Sequence, residues 1–190
     1  MKKAVFLDRD GTINVEKNYL YRSEDFEFIA KAPEAIALLN KHDYLVIVVS
    51  NQAGVARGYY GEDDVRRLHR YINEELEQYG AHIDAFYYCP HHPEAGIGKY
   101  RIRCHCRKPE TGMLEQACGD FPIDVAASWM IGDNCGDILA GNRFGLKTIL
   151  VETGYGQKLI EEGFDSNDYT AGDLFIAVNM ILKMDQDSRL

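Results

Sequence analysis

FLDRDGT, residues 6–12, ends an apolar run with two aspartates, Asp8 and Asp10, followed by a Gly-Thr pair. The run at 3–8, KAVFLD, is short and apolar and predicts a buried strand. Two carboxylates one residue apart at a strand end repel each other. Alone, Asp-Arg-Asp-Gly is also an ordinary turn, because Asp and Gly favour turns. The segments that follow decide between these meanings.

Further apolar runs at 44–50, 83–89, 128–133 and 147–152 predict four more strands. Patterns at 33–42, 61–80, 111–120, 136–145 and 172–184 predict helices, with the last residues of the chain expected to fray. Pro33 lies in a first turn, where a helix tolerates it. Glu62, Asp63 and Asp64 favour the start of 61–80, and Gly80 its stop. Strands separated by helices imply βαβ units and an α/β fold, a three-layer, doubly wound parallel sheet with helices on both faces. Ligands of such sheets bind beyond the carboxyl ends of the strands, near the switch in strand order. Asp8, Ser50, Cys89 and Asp133 all fall at predicted carboxyl ends. No repeat or linker interrupts the 190 residues, so one domain over 1–190 is expected, with an irregular loop at 89–108.

The net charge of -9 speaks against a nucleic-acid partner. It leaves room for a small anionic substrate in a local basic pocket. MKKAVFLDRDG lacks the apolar core of a signal peptide, and no run approaches the ~20 apolar residues of a membrane span. A cytoplasmic protein without a membrane partner is expected, and its five cysteines are read as thiols or metal ligands rather than disulfides. No long apolar helix face calls for an obligate partner, so a monomer is expected.

VIVVSNQAG (46–54) places Ser50 and Asn51 directly after the second strand. They can cap the next helix or, with backbone N–H groups, hold an anion. CRKPETG (106–112) supplies Arg107 and Lys108, with Pro109 fixing the chain behind them. MIGDNCGD (130–137) puts Asp133 after a strand and Asp137 one helical turn later on the same face. Carboxylates converging from different strands need a cation. Mg²⁺ suits hard oxygen donors and bridges carboxylates to phosphate. Ser50 and Lys108 then hold the other phosphate oxygens. Asp8 is left as an oxygen nucleophile aimed at phosphorus, and Asp10 can protonate a leaving oxygen and later deprotonate water.

CPHHPEAGIGKYRIRCHCRK (89–108) carries a second chemistry. Cys89-x-His91 and Cys104-x-Cys106 offer four soft or borderline donors in two pairs, which suits a closed, structural, tetrahedral Zn²⁺. His92 is an alternative to His91, and His105 is expected to point away. Cys118 reads as helix core. Cys135 reads as packing, because a thiolate is a poor Mg²⁺ ligand. The zinc would pin a long loop directly upstream of Arg107 and Lys108.

In order, Asp8-x-Asp10-Gly-Thr, Ser50, Lys108 and Gly132-Asp133-x-x-x-Asp137 resemble the haloacid dehalogenase (HAD) superfamily of phosphohydrolases. The resemblance implies a HAD-like, Rossmannoid sheet, Asp8 as nucleophile, Asp10 as general acid and base, and Ser50 and Lys108 as stabilisers of the transferring phosphoryl group. It implies Mg²⁺ held by Asp8, the Asp10 carbonyl and Asp133, with Asp137 acting on the metal directly or from behind it. The intervals between motifs are too short for an inserted cap domain. A capless, open site is expected, rimmed by the zinc loop and residues 14–28.

FLDRDGTIN, SNQAGVARG, YYCPHHP and Cys-x-Cys-Arg-Lys-Pro resemble the heptose-1,7-bisphosphate 7-phosphatase family more closely than the histidinol-phosphate phosphatases, the alternative with the same mechanism. That resemblance implies a role in making activated heptose for bacterial surface glycans. It implies substrate contacts from Ser50, Asn51, Arg107 and Lys108, and further ones from Glu16, Lys17, Asn18, Tyr19 and the backbones of Gln52 and Ala53. Asn134 stands at the substrate where some members carry lysine. This removes a positive charge and leaves the preferred anomer open, and Asn134 can also serve as a helix N-cap.

Overall fold

Continuous apolar runs form the strands because both faces of a parallel sheet are covered by helices. The structure is a computed structural model that describes residues 1–187. The last helix, expected to end at 184 before a frayed end, continues to Asp187, and 188–190 lie outside the described residues. The strands are β1 (Ala4–Leu7), β2 (Leu45–Asn51), β3 (Ala85–Cys89), β4 (Trp129–Gly132), β5 (Lys147–Val151) and β6 (Tyr169–Ala171). They form one parallel sheet in the order β3-β2-β1-β4-β5-β6. The helices are α1 (Ala32–Lys41), α2 (Ala53–Ala56), α3 (Glu62–Glu77), α4 (Gly112–Asp120), α5 (Cys135–Phe144), α6 (Gly156–Glu161) and α7 (Leu174–Asp187).

The five predicted strands and five predicted helices are all present. β6, α2 and α6 were not expected. β6 has three residues, too few to show a period, and becomes a strand by pairing Ile149 with Tyr169 and Val151 with Ala171. The helices α2 and α6 are one or two turns long, below the length at which an apolar stripe can be read.

Side chains alternate across β1, as a strand requires. Val5 and Leu7 pack with Ile36 and Leu39 of α1, Leu68 of α3 and Val178 of α7. Ala4 and Phe6 face the other way, towards Met113 and Ala117 of α4 and Ala140 of α5. Burying each of the Val, Leu, Ile, Phe and Met side chains among them stabilises the fold by about 1.5–3 kcal/mol. Among the described residues, no helix is long and apolar enough to cross a membrane.

From β1 the chain winds outward to β2 and β3, then returns to place β4 on the other side of β1. The switch in strand order therefore lies between β1 and β4. The register pairs Leu7 with Ile131, and the Asp8 N–H donates to the Ile131 carbonyl at 3.0 Å. This brings the Asp8 and Asp133 loops side by side at the crevice where doubly wound sheets bind ligands.

Candidate active site

Beyond β1 the chain turns back on itself, with the Gly11 N–H on the Asn14 carbonyl at 2.7 Å. Gly11 has φ +83°, and a Cβ there would lie 2.2 Å from Asp133 Oδ2. Glycine is required both by the left-handed backbone and by the approach of the acid. At Gly132 close approach alone asks for glycine, since a Cβ there would meet Asp137 Oδ2 at 2.3 Å.

Carboxylate oxygens of Asp8, Asp133 and Asp137 lie within 4.8 Å of one another. Lys108 Nζ sits among them, 2.7 Å from Asp8 Oδ1 and 2.6 Å from Asp137 Oδ1, and donates to the Val49 carbonyl at 2.5 Å. Its side chain is 4 % exposed. Asn51 aims it: the Asn51 amide donates to the Lys108 carbonyl at 3.0 Å and accepts the Lys108 N–H at 3.1 Å. Asp137 uses its second oxygen to accept the Asn134 N–H at 3.0 Å. Asp133 Oδ2 accepts the Tyr155 N–H at 2.8 Å.

Three carboxylates around one ammonium leave buried negative charge uncompensated. Burial, with the neighbouring acids adding to it, pushes Asp8 up to about 7 and Asp133 up to about 9. Burial opposes the charge on Lys108, but Asp137 and Asp8 outweigh it and hold the ammonium above the ordinary lysine range. A hard divalent cation relieves this imbalance, and an all-oxygen donor set fits Mg²⁺.

A pH dependence follows for the metal-free protein. Asp8 and Asp133 keep their protons in the folded state after the unfolded chain has released them. Stability therefore falls as pH rises above the ordinary aspartate value of 3.8, Asp8's share being complete by about 7 and Asp133's by about 9. The Tm of chelator-treated protein is expected to drop across that window and to recover on adding Mg²⁺. A Tm that is level between these pH values would contradict the carboxylate crowding.

Asp10 is held separately from this cluster. Arg9 Nη2 donates to its Oδ2 at 2.8 Å, Asn14 Nδ2 to its Oδ1 at 3.0 Å and Gln52 Nε2 to its Oδ2 at 3.1 Å. Gln52 Nε2 also reaches Ser50 Oγ at 2.8 Å, and Tyr60 OH donates to Gln52 Oε1 at 2.7 Å. The sequence points to the Gln52 backbone, yet it is the side chain that ties Asp10 to Ser50. Arg9, Asn14 and Tyr60 were missed. An arginine between two acids reads as a surface residue, whereas Arg9 is fully buried and also donates to the Leu20 carbonyl at 2.9 Å.

The main cavity, about 420 Å³, is lined by Asp8, Ser50, Lys108, Asp133 and Asn134, among others. A second, about 260 Å³, shares Asp10, Glu16, Asn51, Arg107 and Tyr155 with it and adds Asn18, Tyr19, Gln52, Ala53, Arg57 and His92 to its wall. Asn134 lines the first cavity while its Oδ1 caps α5 by accepting the Gly136 N–H at 3.3 Å. Lys17 lines neither: its Nζ donates to the Asp25 carbonyl at 2.9 Å and pairs with Glu27 at 3.0 Å. Tyr155, Arg57 and His92 were missed, because nothing local in the sequence shows which loops meet at the sheet edge.

The four donors expected for zinc meet at the end of β3. Cys89 Sγ lies 3.4 Å from Cys104 Sγ and 3.1 Å from Cys106 Sγ, and His91 Nδ1 is 3.4 Å from Cys106 Sγ. These separations are too long for a disulfide and suit donors grouped about one tetrahedral Zn²⁺. His92 turns elsewhere, its Nδ1 accepting the Ala95 N–H at 2.9 Å. His105 points away to Glu115 at 2.9 Å, as expected. Arg107 Nη1 donates to the His91 carbonyl at 3.2 Å, coupling the metal loop to the cavity wall.

Cys104→Ser is expected to lower bound zinc and to loosen this rim, because a structural site contributes folding energy directly. Elemental analysis and limited proteolysis check it. Full zinc content in the variant would remove Cys104 from the ligand set.

A HAD-hydrolase-like family model matches residues 105–174. The chain is 47% identical over 175 residues to the D-glycero-beta-D-manno-heptose-1,7-bisphosphate 7-phosphatase of Haemophilus ducreyi, covering 91% of this chain and 94% of that one. It is 44% identical to the D-glycero-alpha-D-manno-heptose-1,7-bisphosphate 7-phosphatase of Burkholderia mallei, over 78% and 79% of the two chains. The crystal structure of D,D-heptose 1,7-bisphosphate phosphatase from B. bronchiseptica, complexed with magnesium and phosphate, matches with a TM-score of 0.85 at 30% identity, covering 96% and 99%. With relatives this similar over nine-tenths of its length, the chain belongs to the D-glycero-D-manno-heptose-1,7-bisphosphate 7-phosphatase family of HAD-like phosphohydrolases.

Proposed function

We propose that this phosphatase removes the 7-phosphate of D-glycero-D-manno-heptose 1,7-bisphosphate through an aspartyl phosphate on Asp8. The observation that carries it is Asp8 paired with Lys108 at the strand-order switch, with Asp10 held beside them by its own hydrogen bonds. An Asp8 carboxylate oxygen forms the bond to phosphorus as the bond from phosphorus to the sugar oxygen breaks. Asp10 gives its proton to that oxygen, then takes one from the water that attacks the aspartyl phosphate. Breaking the Asp8–phosphorus bond releases inorganic phosphate and restores both acids. Lys108 and the Ser50 hydroxyl hold the phosphoryl oxygens, where fixed donors gain most as charge develops.

Asp137 serves as the counter-ion that keeps Lys108 charged and aimed, since both its oxygens already have partners. Mg²⁺, held by Asp8, the Asp10 carbonyl and Asp133, would supply positive charge against the substrate phosphate. Glu16, Asn18, Tyr19, Ala53, Arg107 and Asn134 form the walls that face the sugar. Asn51 and Gln52 act on the substrate through Lys108, Asp10 and Ser50, which their side chains hold. The chain works as one cytoplasmic domain and as a monomer, in the synthesis of nucleotide-activated heptose for surface glycans.

Phosphate release from the α and β anomers of heptose 1,7-bisphosphate, beside histidinol phosphate and with Mg²⁺ present or absent, tests this. Mg²⁺-dependent release from a heptose anomer is expected, and the faster anomer identifies the pathway. Release from histidinol phosphate alone would overturn the substrate, and release from none of the three would overturn the activity.

A further inference from the structure

We infer that Tyr60, on the reading of Asp10 as general acid and base proposed above, is a positioning residue for the proton transfer: through the Gln52 amide it holds Asp10 in place for the leaving oxygen. Gln52 stands between them. Its Oε1 meets two donors, the Tyr60 hydroxyl at 2.7 Å and Arg9 Nη2 at 3.3 Å. Its Nε2 meets two acceptors, Asp10 Oδ2 at 3.1 Å and Ser50 Oγ at 2.8 Å. Turning the amide over would set N–H groups against a guanidinium and an oxygen against a carboxylate. The amide is therefore held one way round, and the shorter of its two anchoring bonds comes from Tyr60.

Tyr60 is placed to anchor rather than to react. It is buried, and its ring lies so close to α2 that a Cβ on Gly54 would fall 2.2 Å from Tyr60 Cε1. The Tyr21 ring stacks on it, with 5.1 Å between centres and 18° between planes, and Val55 and Val65 complete its packing. Burial holds the phenol protonated, above the ordinary tyrosine range, so it remains a donor to Gln52. Arg9 is the weaker anchor. Its Nη2 is shared among Asp10, the Leu20 carbonyl and Gln52, and the Gln52 contact is the longest of these.

Two consequences reach the reacting atoms. With Gln52 on Oδ2 and Asn14 on Oδ1, the Asp10 carboxyl is held at both oxygens and cannot swing freely. Ser50 Oγ accepts from Gln52, which leaves its one hydroxyl hydrogen for a phosphoryl oxygen. In the reaction the proton passes from the Asp10 carboxyl to the leaving oxygen as the bond from that oxygen to phosphorus breaks. Tyr60 and Gln52 keep their own protons and hold the geometry. The two donors to Gln52 Oε1 also grip neighbouring residues of the 14–28 rim, Arg9 the Leu20 carbonyl at 2.9 Å and Tyr60 the Tyr21 ring. The seat of the rim and the placing of the acid are thereby tied together.

The experiment compares kcat/KM for p-nitrophenyl phosphate, phenyl phosphate and heptose 1,7-bisphosphate in the zinc-loaded, Mg²⁺-supplied protein and in Tyr60→Phe, Gln52→Leu and the double variant. p-Nitrophenolate leaves without needing a proton, whereas phenolate and a sugar alkoxide depend on one. Phe keeps the ring contacts, so Tyr60→Phe should stay folded and lose the hydroxyl alone. It is expected to lower kcat/KM about threefold for p-nitrophenyl phosphate, through Ser50, and about 30-fold for the other two. The double variant should match Gln52→Leu, because Tyr60 acts only through Gln52. Equal losses on all three substrates, no loss on any, or additive losses in the double variant would overturn the positioning role. A loss confined to the heptose compound would overturn it too, by making Tyr60 a substrate contact. If wild type acts on the aryl phosphates and not on the heptose compound, the substrate proposed above fails, and the aryl pair still decides the role of Tyr60. Activity on none of the three would overturn both.

Discussion

Asp8→Asn is expected to lower kcat by about 10⁴-fold or more while the protein stays folded. The amide has nearly the shape of the carboxylate, but it cannot form the bond to phosphorus. The backbone that positions residue 8 is untouched, since the Asp8 N–H remains on Ile131. In the metal-free protein the substitution even removes a burden. Burial opposes ionisation of Asp8 and pushes it up to about 7, with Asp137 and Asp10 adding repulsion. Above that pH the metal-free variant should melt no lower than wild type. Single-turnover kinetics, mass spectrometry of a trapped phosphoprotein and thermal melts provide the readouts. Turnover within tenfold of wild type, or a covalent phosphate retained in the variant, would remove Asp8 as nucleophile.

Lys108→Met should cost about 10²- to 10⁴-fold in kcat, the range for losing a fixed donor to developing charge in a dry site. It should also destabilise the protein by about 3–5 kcal/mol, because Asp137 is then a buried charge without its partner. Asp137 is 2 % exposed and lies 2.6 Å from Lys108 Nζ, so water cannot replace the ammonium cheaply. The double variant Lys108→Met/Asp137→Asn separates the two roles. It should regain most of the lost Tm and none of the lost kcat. If the single variant melts like wild type, Asp137 has another counter-charge. If the double variant regains turnover, Lys108 acts only as a structural ion-pair partner.

The main framework is readable in the chain because its cause is local. β1 and β4 are buried throughout and β2 and β5 nearly so, and the more exposed β3 keeps an apolar, aromatic run, so each can be read in the sequence, and the longer helices carry their own periodicity. Asp8, Ser50 and Asp133 follow such runs directly, and the parallel topology sends all three to one edge. The zinc donors were likewise legible, as Cys-x-His and Cys-x-Cys pairs bounding one loop. Short elements escaped for the same reason: three residues in β6 and four in α2 have no period to read.

What the amino-acid order determined by itself is therefore the strand-helix alternation, the edge to which the acids are delivered and the chemical types gathered there. Only the tertiary structure decided which partner each group takes. Asn51 clamps Lys108, the Gln52 side chain joins Ser50 to Asp10, buried Arg9 braces Asp10, His92 leaves the zinc set, and Arg57 reaches the adjoining cavity. The physical reason is range. Backbone periodicity is set by neighbours a few residues apart, whereas a hydrogen bond from Lys108 to Asp8 joins positions a hundred residues apart, which only the folded sheet brings together.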